Sequence, residues 1–166
     1  MRVLVVDDSA LYRKILSEAV TCVSGTEVVA VSSGELALKR LNSETFDLVL
    51  LDIFMNEMNG PEVLEKIRRS HSQVSVVMVS GATGRDAAIT IGCLANGAMD
   101  FIPKPASGSF EAGLEVLKSD IRKAITMARI HGVTAISGAA KNPTQVAISA
   151  PPLNQPPMKR LQPPPF

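Results

Sequence analysis

The sequence is short of aromatic side chains and of cysteine. Aromatic residues make up 4% of its 166 residues, and Trp is absent. Its two cysteines, Cys22 and Cys93, lie far apart and belong to no Cys-x-x-Cys or Cys/His cluster. The sequence therefore indicates neither a zinc site nor a disulfide framework, and a reducing, cytoplasmic location is expected.

Long apolar runs and an excess of charge of one sign are also missing. No apolar stretch reaches the roughly 18 residues that a membrane span requires, and the run after Met1 becomes acidic too soon for a signal peptide. The formal net charge of +1 gives no overall attraction to nucleic acid or to an anionic membrane. We therefore expect neither nucleic acid nor a membrane as a partner, although the net charge does not reveal a local basic patch.

What the sequence does contain is an alternation of short apolar runs with longer segments of helical period. Five short apolar runs, four of which contain valine, predict strands at residues 3–6, 27–31, 47–51, 74–79 and 99–102. These runs do not alternate with polar residues, as expected of strands that are covered on both faces. The pattern predicts an α/β fold, a doubly wound five-stranded parallel sheet.

Apolar residues at helical spacing predict a helix after each strand. Each set is expected to face the sheet: Leu11, Ile15 and Ala19; Leu36, Ala37 and Leu41; Val63, Leu64 and Ile67; Ala88, Ile91 and Ala95; and, in a last helix at roughly 110–130, Leu114, Leu117, Ile121, Ala124, Ile125 and Ala128.

The helical pattern ends near residue 134. Eight of the eleven prolines lie between Pro143 and the carboxyl end of the chain. Proline-rich chain favours extended conformations that have no core of their own. The sequence therefore predicts one domain over residues 1–131 and a flexible, Pro-rich linker or tail over residues 132–166.

Polar residues with useful chemistry stand where four of the predicted strands end. Asp7 and Asp8 follow the first strand, Asp52 the third, Ser80 the fourth and Lys104 the fifth. In an open α/β sheet, the ligand crevice lies outside the carboxyl ends of the strands, so these side chains are expected to converge. Three carboxylates brought together repel one another unless a cation lies between them, and hard oxygen ligands suit Mg2+.

Four motifs, in order, give the sequence a family resemblance. "VLVVDDS", "DLVLLDIFM", "VVMVSGAT" and "DFIPKP" together resemble the receiver domain of bacterial response regulators over approximately residues 1–130. "VDDSALYRK" and "GAMDFIPKPASGSF" are most similar to the amino-terminal receiver of chemotaxis protein-glutamate methylesterases. The resemblance implies a flavodoxin-like (βα)5 fold with strand order 2-1-3-4-5.

The resemblance also assigns roles to the residues at the strand ends. It implies that Asp52 is the phosphate acceptor, whose carboxylate attacks the phosphorus of a donor phosphohistidine to form an acyl phosphate. It implies that Asp7, Asp8, Asp52 and the backbone carbonyl of Phe54 hold a Mg2+ cofactor. Lys104 matches the lysine that pairs with the phosphoryl group.

Two further residues match the family's switch. Ser80 matches the residue whose hydroxyl bonds a phosphoryl oxygen, and its movement would leave space for Phe101 to turn inward. The interpretation of Phe101 as an ordinary core aromatic is as good as its interpretation as a switch residue. Pro105 matches a position where the Lys–Pro peptide bond is cis, which would aim Lys104 inward.

The segment "DIFMNEMNG" departs from the family pattern. Related sequences usually have a proline where Asn56 stands and an acid where Asn59 stands, whereas Gly60 remains for the turn. Phe54 is bulky and apolar beside the expected phosphate. We hypothesise that it hinders attacking water and so lengthens the life of the phosphorylated state.

The resemblance implies a signalling module that takes phosphate from a histidine kinase, of the chemotaxis type, and switches a partner or a linked output domain. A methylesterase is the candidate for a longer parent protein, and this chain is expected to turn over no substrate beyond its own phosphorylation and dephosphorylation. A monomer or weak homodimer is expected, with the face of the fourth and fifth helices as the candidate contact.

Two alternatives remain open at this point. One is a small α/β phosphohydrolase or nucleotide-binding enzyme, but no GxGxxG or GxxxxGK(S/T) turn follows the first strand. No acid stands two positions after Asp52 either, which argues against phosphohydrolases of the haloacid-dehalogenase type. The other alternative is a receiver that binds partners without being phosphorylated.

Overall fold

The computed structural model describes residues 1–81, 87–105 and 110–138, and strands and helices alternate along this part of the chain. The elements are β1 (Arg2–Val6), α1 (Ala10–Thr21), β2 (Glu27–Val31), α2 (Gly34–Ser43), β3 (Leu48–Asp52), α3 (Gly60–Ser70), β4 (Ser75–Gly81), α4 (Ala87–Ala95), β5 (Asp100–Lys104) and α5 (Phe110–Gly138). All strand pairs are parallel, and the order is β2-β1-β3-β4-β5. The predicted fold class and strand order are confirmed.

Three strands, β3, β4 and β5, run slightly further at their carboxyl ends than the sequence predicts, whereas β1 and β2 end as predicted. Asp52 is the last residue of β3, Ser80 the last but one of β4, and Lys104 the last of β5. The register pairs Asp52 with Val79, and Gly81 with Lys104. These side chains are therefore held by the hydrogen-bonded sheet itself, which fixes them more firmly than a loop would.

The sheet separates two hydrophobic cores because alternate residues of each strand point to opposite faces. Val3 and Val5 of β1 pack with α1 and α5 in one core, which we call the α1/α5 core. Leu4 and Val6 pack with α2, α3 and α4 in the other, the α2/α3/α4 core. Both faces of the central strands are thus covered, which explains why their sequences show no polar alternation.

The predicted apolar stripes are confirmed for α3 and α5. Val63, Leu64 and Ile67 of α3 are buried, and Leu117 and Ile121 lie in the middle of the buried stripe of α5. In α1 and α2 the prediction is wrong for the first residue of each stripe, which is not buried. Leu11 is 58% exposed and Leu36 45% exposed, so neither belongs to the buried face of its helix.

The stripe predicted for α4 is also wrong. Ile91 is 66% exposed, Ala88 and Ala95 are exposed too, and the buried residue of this helix is Cys93. Nearly every residue of α4 is apolar, so their spacing does not distinguish one face of the helix from another. Only the packing of α4 against the sheet selects the face.

Side-chain caps begin three of the helices. Ser9, Ser33 and Asn59 accept hydrogen bonds from backbone N–H groups in the first turns of α1, α2 and α3. Such caps satisfy N–H groups that have no partner inside the helix. Gly97, which follows α4, has a φ of 93°, a conformation that glycine adopts without strain.

The last helix is longer than predicted, because α5 continues to Gly138 instead of ending near residue 130. No proline occurs between Pro105 and Pro143, and a glycine such as Gly132 costs a helix only about 1 kcal/mol. Of the predicted linker, residues 132–138 belong to α5 and residues 139–166 lie outside the described part. None of the described helices has the length and apolar character that crossing a membrane requires.

Candidate functional site

Four of the predicted site residues meet at the carboxyl edge of the sheet. Asp7 and Asp8 follow β1, while Asp52 and Lys104 end β3 and β5. The Nζ atom of Lys104 lies 2.7 Å from Oδ2 of Asp7 and 3.0 Å from Oδ2 of Asp52. Lys104 reaches both carboxylates although β4 separates its own strand from β3. The convergence expected from the sequence is present.

The loop between β1 and α1 is pinned by several hydrogen bonds. The backbone N–H of Asp7 donates to the Val31 carbonyl at 3.3 Å, which extends the pairing of β1 with β2. The backbone N–H of Ser9 donates to Oδ1 of Asp7 at 2.9 Å. The Arg13 guanidinium donates to the carbonyls of Asp7 at 2.8 Å and Asp8 at 2.9 Å. These bonds fix the loop that carries both aspartates.

Burial divides the three carboxylates. Asp7 is 0% exposed and Asp52 3% exposed, whereas Asp8 is exposed to solvent. Burial raises the pKa of Asp52 above its ordinary value, Lys104 opposes that rise, and the charge of Asp7 adds to it. Because the site holds three carboxylates and one ammonium group, it carries excess negative charge when all of them are ionised.

The arrangement fits a divalent cation. One oxygen from each of Asp7, Asp8 and Asp52 lies within 4.8 Å of the others. Oδ2 of Asp7 is buried and accepts no well-oriented hydrogen bond, even though Lys104 Nζ is close by, so one lone pair remains for a metal. Carboxylate oxygens are the ligands that Mg2+ prefers. Phe54, the predicted carbonyl ligand, follows β3, and its N–H lies 3.4 Å from Oδ1 of Asp52.

Comparison with known protein families assigns the chain to one of them. Residues 3–118 match the response regulator receiver domain. The chain belongs to this family. The family match covers β1 through the first part of α5 and so includes all four residues that converge in the receiver.

Curated relatives of the receiver are named protein-glutamate methylesterase/protein-glutamine glutaminase. The protein from Bacillus subtilis is 40% identical over 133 residues, which are 80% of this chain and 37% of the relative. That from Trichodesmium erythraeum is 38% identical over 122 residues, 72% of this chain and 35% of the relative. The chain thus spans little more than a third of the length of these two relatives.

Solved structures agree with this assignment. The response regulator domain of Thermotoga maritima CheB shares 38% sequence identity with a TM-score of 0.65, covering 76% of this chain and 96% of that one. The chemotaxis protein CheY4 of Vibrio cholerae shares 25% identity with a TM-score of 0.62, covering 74% and 97%. The predicted resemblance to response regulator receivers, including those of methylesterases, is confirmed.

The two predicted switch residues of the receiver lie on adjacent strands. Ser80 is fully buried, and its hydroxyl donates to the Gly81 carbonyl at 3.3 Å. Phe101, near the start of β5, is half-buried and packs against the α2/α3/α4 core. The sheet thus places Ser80 at the same edge as Asp52 and Lys104, and Phe101 further from it.

One expectation about the receiver is wrong. The peptide bond between Lys104 and Pro105 was expected to be cis, but none of the peptide bonds between described residues is cis. Lys104 nevertheless points inward, because its position at the end of β5 and its contacts with Asp7 and Asp52 direct its side chain.

Sequence reasoning missed three residues of the receiver site. The ring centroid of Tyr12 lies 4.4 Å from Lys104 Nζ, Arg13 holds the β1–α1 loop, and Nδ2 of Asn56 donates to Oδ2 of Asp8 at 2.8 Å. Tyr12 and Arg13 stand in the first turn of α1, close to the aspartates in sequence, so proximity could have identified them. Asn56 stands out in the sequence only as a departure from the family pattern, and no sequence pattern pairs it with Asp8.

Proposed function

We propose that this receiver accepts a phosphoryl group on Asp52 from a histidine kinase, with Mg2+, and thereby switches a partner or a linked output domain. The observation that supports it best is the position of Lys104 Nζ between Asp7 and Asp52, at 2.7 Å and 3.0 Å. That arrangement sets one cation and one nucleophilic carboxylate side by side in a buried site.

The proposed reaction needs few groups. A carboxylate oxygen of Asp52 attacks the phosphorus of a phosphohistidine, the P–N bond breaks, and the imidazole leaves as the acyl phosphate forms. The Lys104 ammonium pairs with the negative charge on the phosphoryl oxygens. Asp7, Asp8, Asp52 and the Phe54 carbonyl would hold Mg2+, which supplies positive charge against carboxylate and phosphoryl oxygens when bound.

The proposed switch passes through the sheet. The Ser80 hydroxyl turns from its bond to Gly81 toward a phosphoryl oxygen, and Phe101 packs inward as space opens behind it. Phosphate contacts present in only one of the two packings shift the balance between them. The buried hydroxyl of Ser80 and the half-buried ring of Phe101 support this route.

We propose a chemotaxis pathway and a chemotaxis-type kinase as the partner. The support is the naming of the curated relatives as methylesterases and of one structural neighbour as a chemotaxis protein. A methylesterase-type output domain is the proposed target of the switch. Residues beyond the receiver are the proposed link to it.

The decisive experiment is phosphorylation with a small acyl phosphate and Mg2+, followed by intact mass. The chain should gain one phosphoryl group, and Asp52→Asn and a sample with chelator in place of Mg2+ should gain none. Equal phosphorylation of Asp52→Asn would show that another residue is the acceptor.

A further inference from the structure

Asp8 is tied to a distant loop by a side-chain hydrogen bond. Nδ2 of Asn56, in the loop between β3 and α3, donates to Oδ2 of Asp8 at 2.8 Å across 48 positions of sequence. Both residues are exposed. A carboxylate at the surface has several rotamers open to it, so this bond selects the orientation of Asp8.

The other two carboxylates are oriented differently. Asp7 is buried, with Oδ1 held by the N–H of Ser9 at 2.9 Å and Oδ2 beside Lys104 at 2.7 Å. Asp52 is the last residue of a strand and lies 3.0 Å from the same ammonium. Asp8 is exposed and forms no ion pair with Lys104. Its carboxylate is therefore oriented by Asn56, whereas burial and Lys104 orient the carboxylates of Asp7 and Asp52.

We infer that Asn56 is a positioning residue for the metal site, because it binds Oδ2 of Asp8 and leaves the other carboxylate oxygen available to the ion. The inference rests on the proposed function, because it concerns the proposed Mg2+ site. The amide is neutral, so it orients Asp8 without adding charge, and it occupies only one of the two oxygens. Groups that orient ligands in this way raise metal affinity by lowering the cost of ordering them.

The bond also couples the ion to the loop after Asp52. Phe54 and Asn56 belong to the same segment, and the N–H of Phe54 lies 3.4 Å from Oδ1 of Asp52. A metal that orders Asp8 therefore orders the segment that carries Asn56. Because coupling between two equilibria is reciprocal, ordering the loop must in turn favour the ion.

The test is Mg2+ binding to the full chain by isothermal titration calorimetry. Asn56→Leu keeps the approximate size of the side chain but removes the donor, and the Kd for Mg2+ should rise about tenfold. Asn56→Gln keeps a donor on a longer side chain and should bind Mg2+ more tightly than the Leu variant. Asn42→Leu, the same change at an exposed asparagine whose Oδ1 contacts His71, should leave the Kd unchanged.

A second measurement is hydrogen exchange, made first on the natural chain and then on the Leu variant. Mg2+ should slow hydrogen exchange of the loop amides around Asn56 in the natural chain and slow it less in Asn56→Leu. Circular dichroism and the metal-free thermal midpoint establish that the Leu variant is folded, which its exposed position leads us to expect.

The outcomes are distinguishable. An equal or lower Kd for Asn56→Leu than for the natural chain would overturn the role of Asn56 and leave the metal site intact. Failure of the natural chain itself to bind Mg2+ would remove the metal from the proposed function, and this inference with it.

Discussion

The ring of Tyr12 lies over the ammonium group of Lys104, whose Nζ atom is 4.4 Å from the ring centroid. Asp7 and Asp52 contact the same ammonium. Lys104 is consequently enclosed, with 9% of its surface exposed. A flexible side chain is thus held in one place by two charges and one aromatic face.

Replacing Tyr12 by Leu should slow phosphorylation by a small acyl phosphate about two- to fivefold, the effect of losing an aromatic face that attracts a cation. Tyr12→Phe keeps the ring and should retain the natural rate, which separates the role of the ring from that of the hydroxyl. The measurement is the initial rate of phosphate gain by intact mass at fixed Mg2+. Equal rates for Leu and Phe variants would show that the ring does not hold Lys104 for the reaction.

Gly60→Ala should destabilise the fold and disturb the acceptor. A Cβ atom at Gly60 would lie 2.3 Å from the Asp52 carbonyl oxygen and 2.8 Å from Cα of Ile53, both backbone atoms of the strand end and loop. We expect the free energy of unfolding to fall by about 2 kcal/mol or more in urea titrations, together with slower phosphorylation of Asp52.

The control for this change is Gly92→Ala in α4, where a Cβ atom meets no atom of the described residues within 4 Å. It should raise the free energy of unfolding by up to about 1 kcal/mol, because alanine is the better helix former. Equal stability for Gly60→Ala and the natural chain would mean that the loop moves freely away from Asp52.

Phe54→Glu should shorten the life of the phosphorylated state. The Phe54 side chain is 49% exposed and stands two positions after Asp52, where it can shield the acyl phosphate from water. A glutamate would replace that apolar cover with a group that hydrogen-bonds water. The measurement is the rate of phosphate loss after the donor is removed, and equal rates for the two proteins would contradict the shielding role.

The two cysteines should differ in reactivity. Cys22 is exposed, whereas Cys93 is buried, and burial raises the pKa of its thiol. A disulfide reagent at neutral pH should modify one thiol quickly and the second only after denaturation. Cys22→Ser should abolish the fast phase and Cys93→Ser should leave it, and two fast phases in the folded natural chain would contradict the burial of Cys93.

The raised pKa of Cys93 also determines the direction in which the free energy of unfolding changes at high pH. Above the ordinary thiol pKa of about 9, the unfolded chain loses this proton while the folded chain keeps it. Stability should therefore fall as pH rises past that value, and less steeply in Cys93→Ala. The same slope in both proteins, measured by urea titrations at several pH values, would rule out this contribution.

Much of the fold was readable from the sequence because local composition and tertiary burial agree. The five short apolar runs are strands in a sheet covered on both faces, and the apolar stripes of α3 and α5 face that sheet. In α4 almost every residue is apolar, so the pattern contained no information about its face, and the prediction of Ile91 as a core residue failed.

The site shows the same division. Its polar residues were identifiable because Asp7, Asp8, Asp52, Ser80 and Lys104 each stand at a strand end, and parallel strands bring their carboxyl ends to one edge. The sequence therefore determined which chemical groups the edge holds. Only the tertiary structure decided how they are oriented, because the contacts of Lys104 with Tyr12 and of Asp8 with Asn56 join segments that no local pattern relates. Such contacts depend on the spacing of packed elements in three dimensions, which the order of residues along the chain does not display.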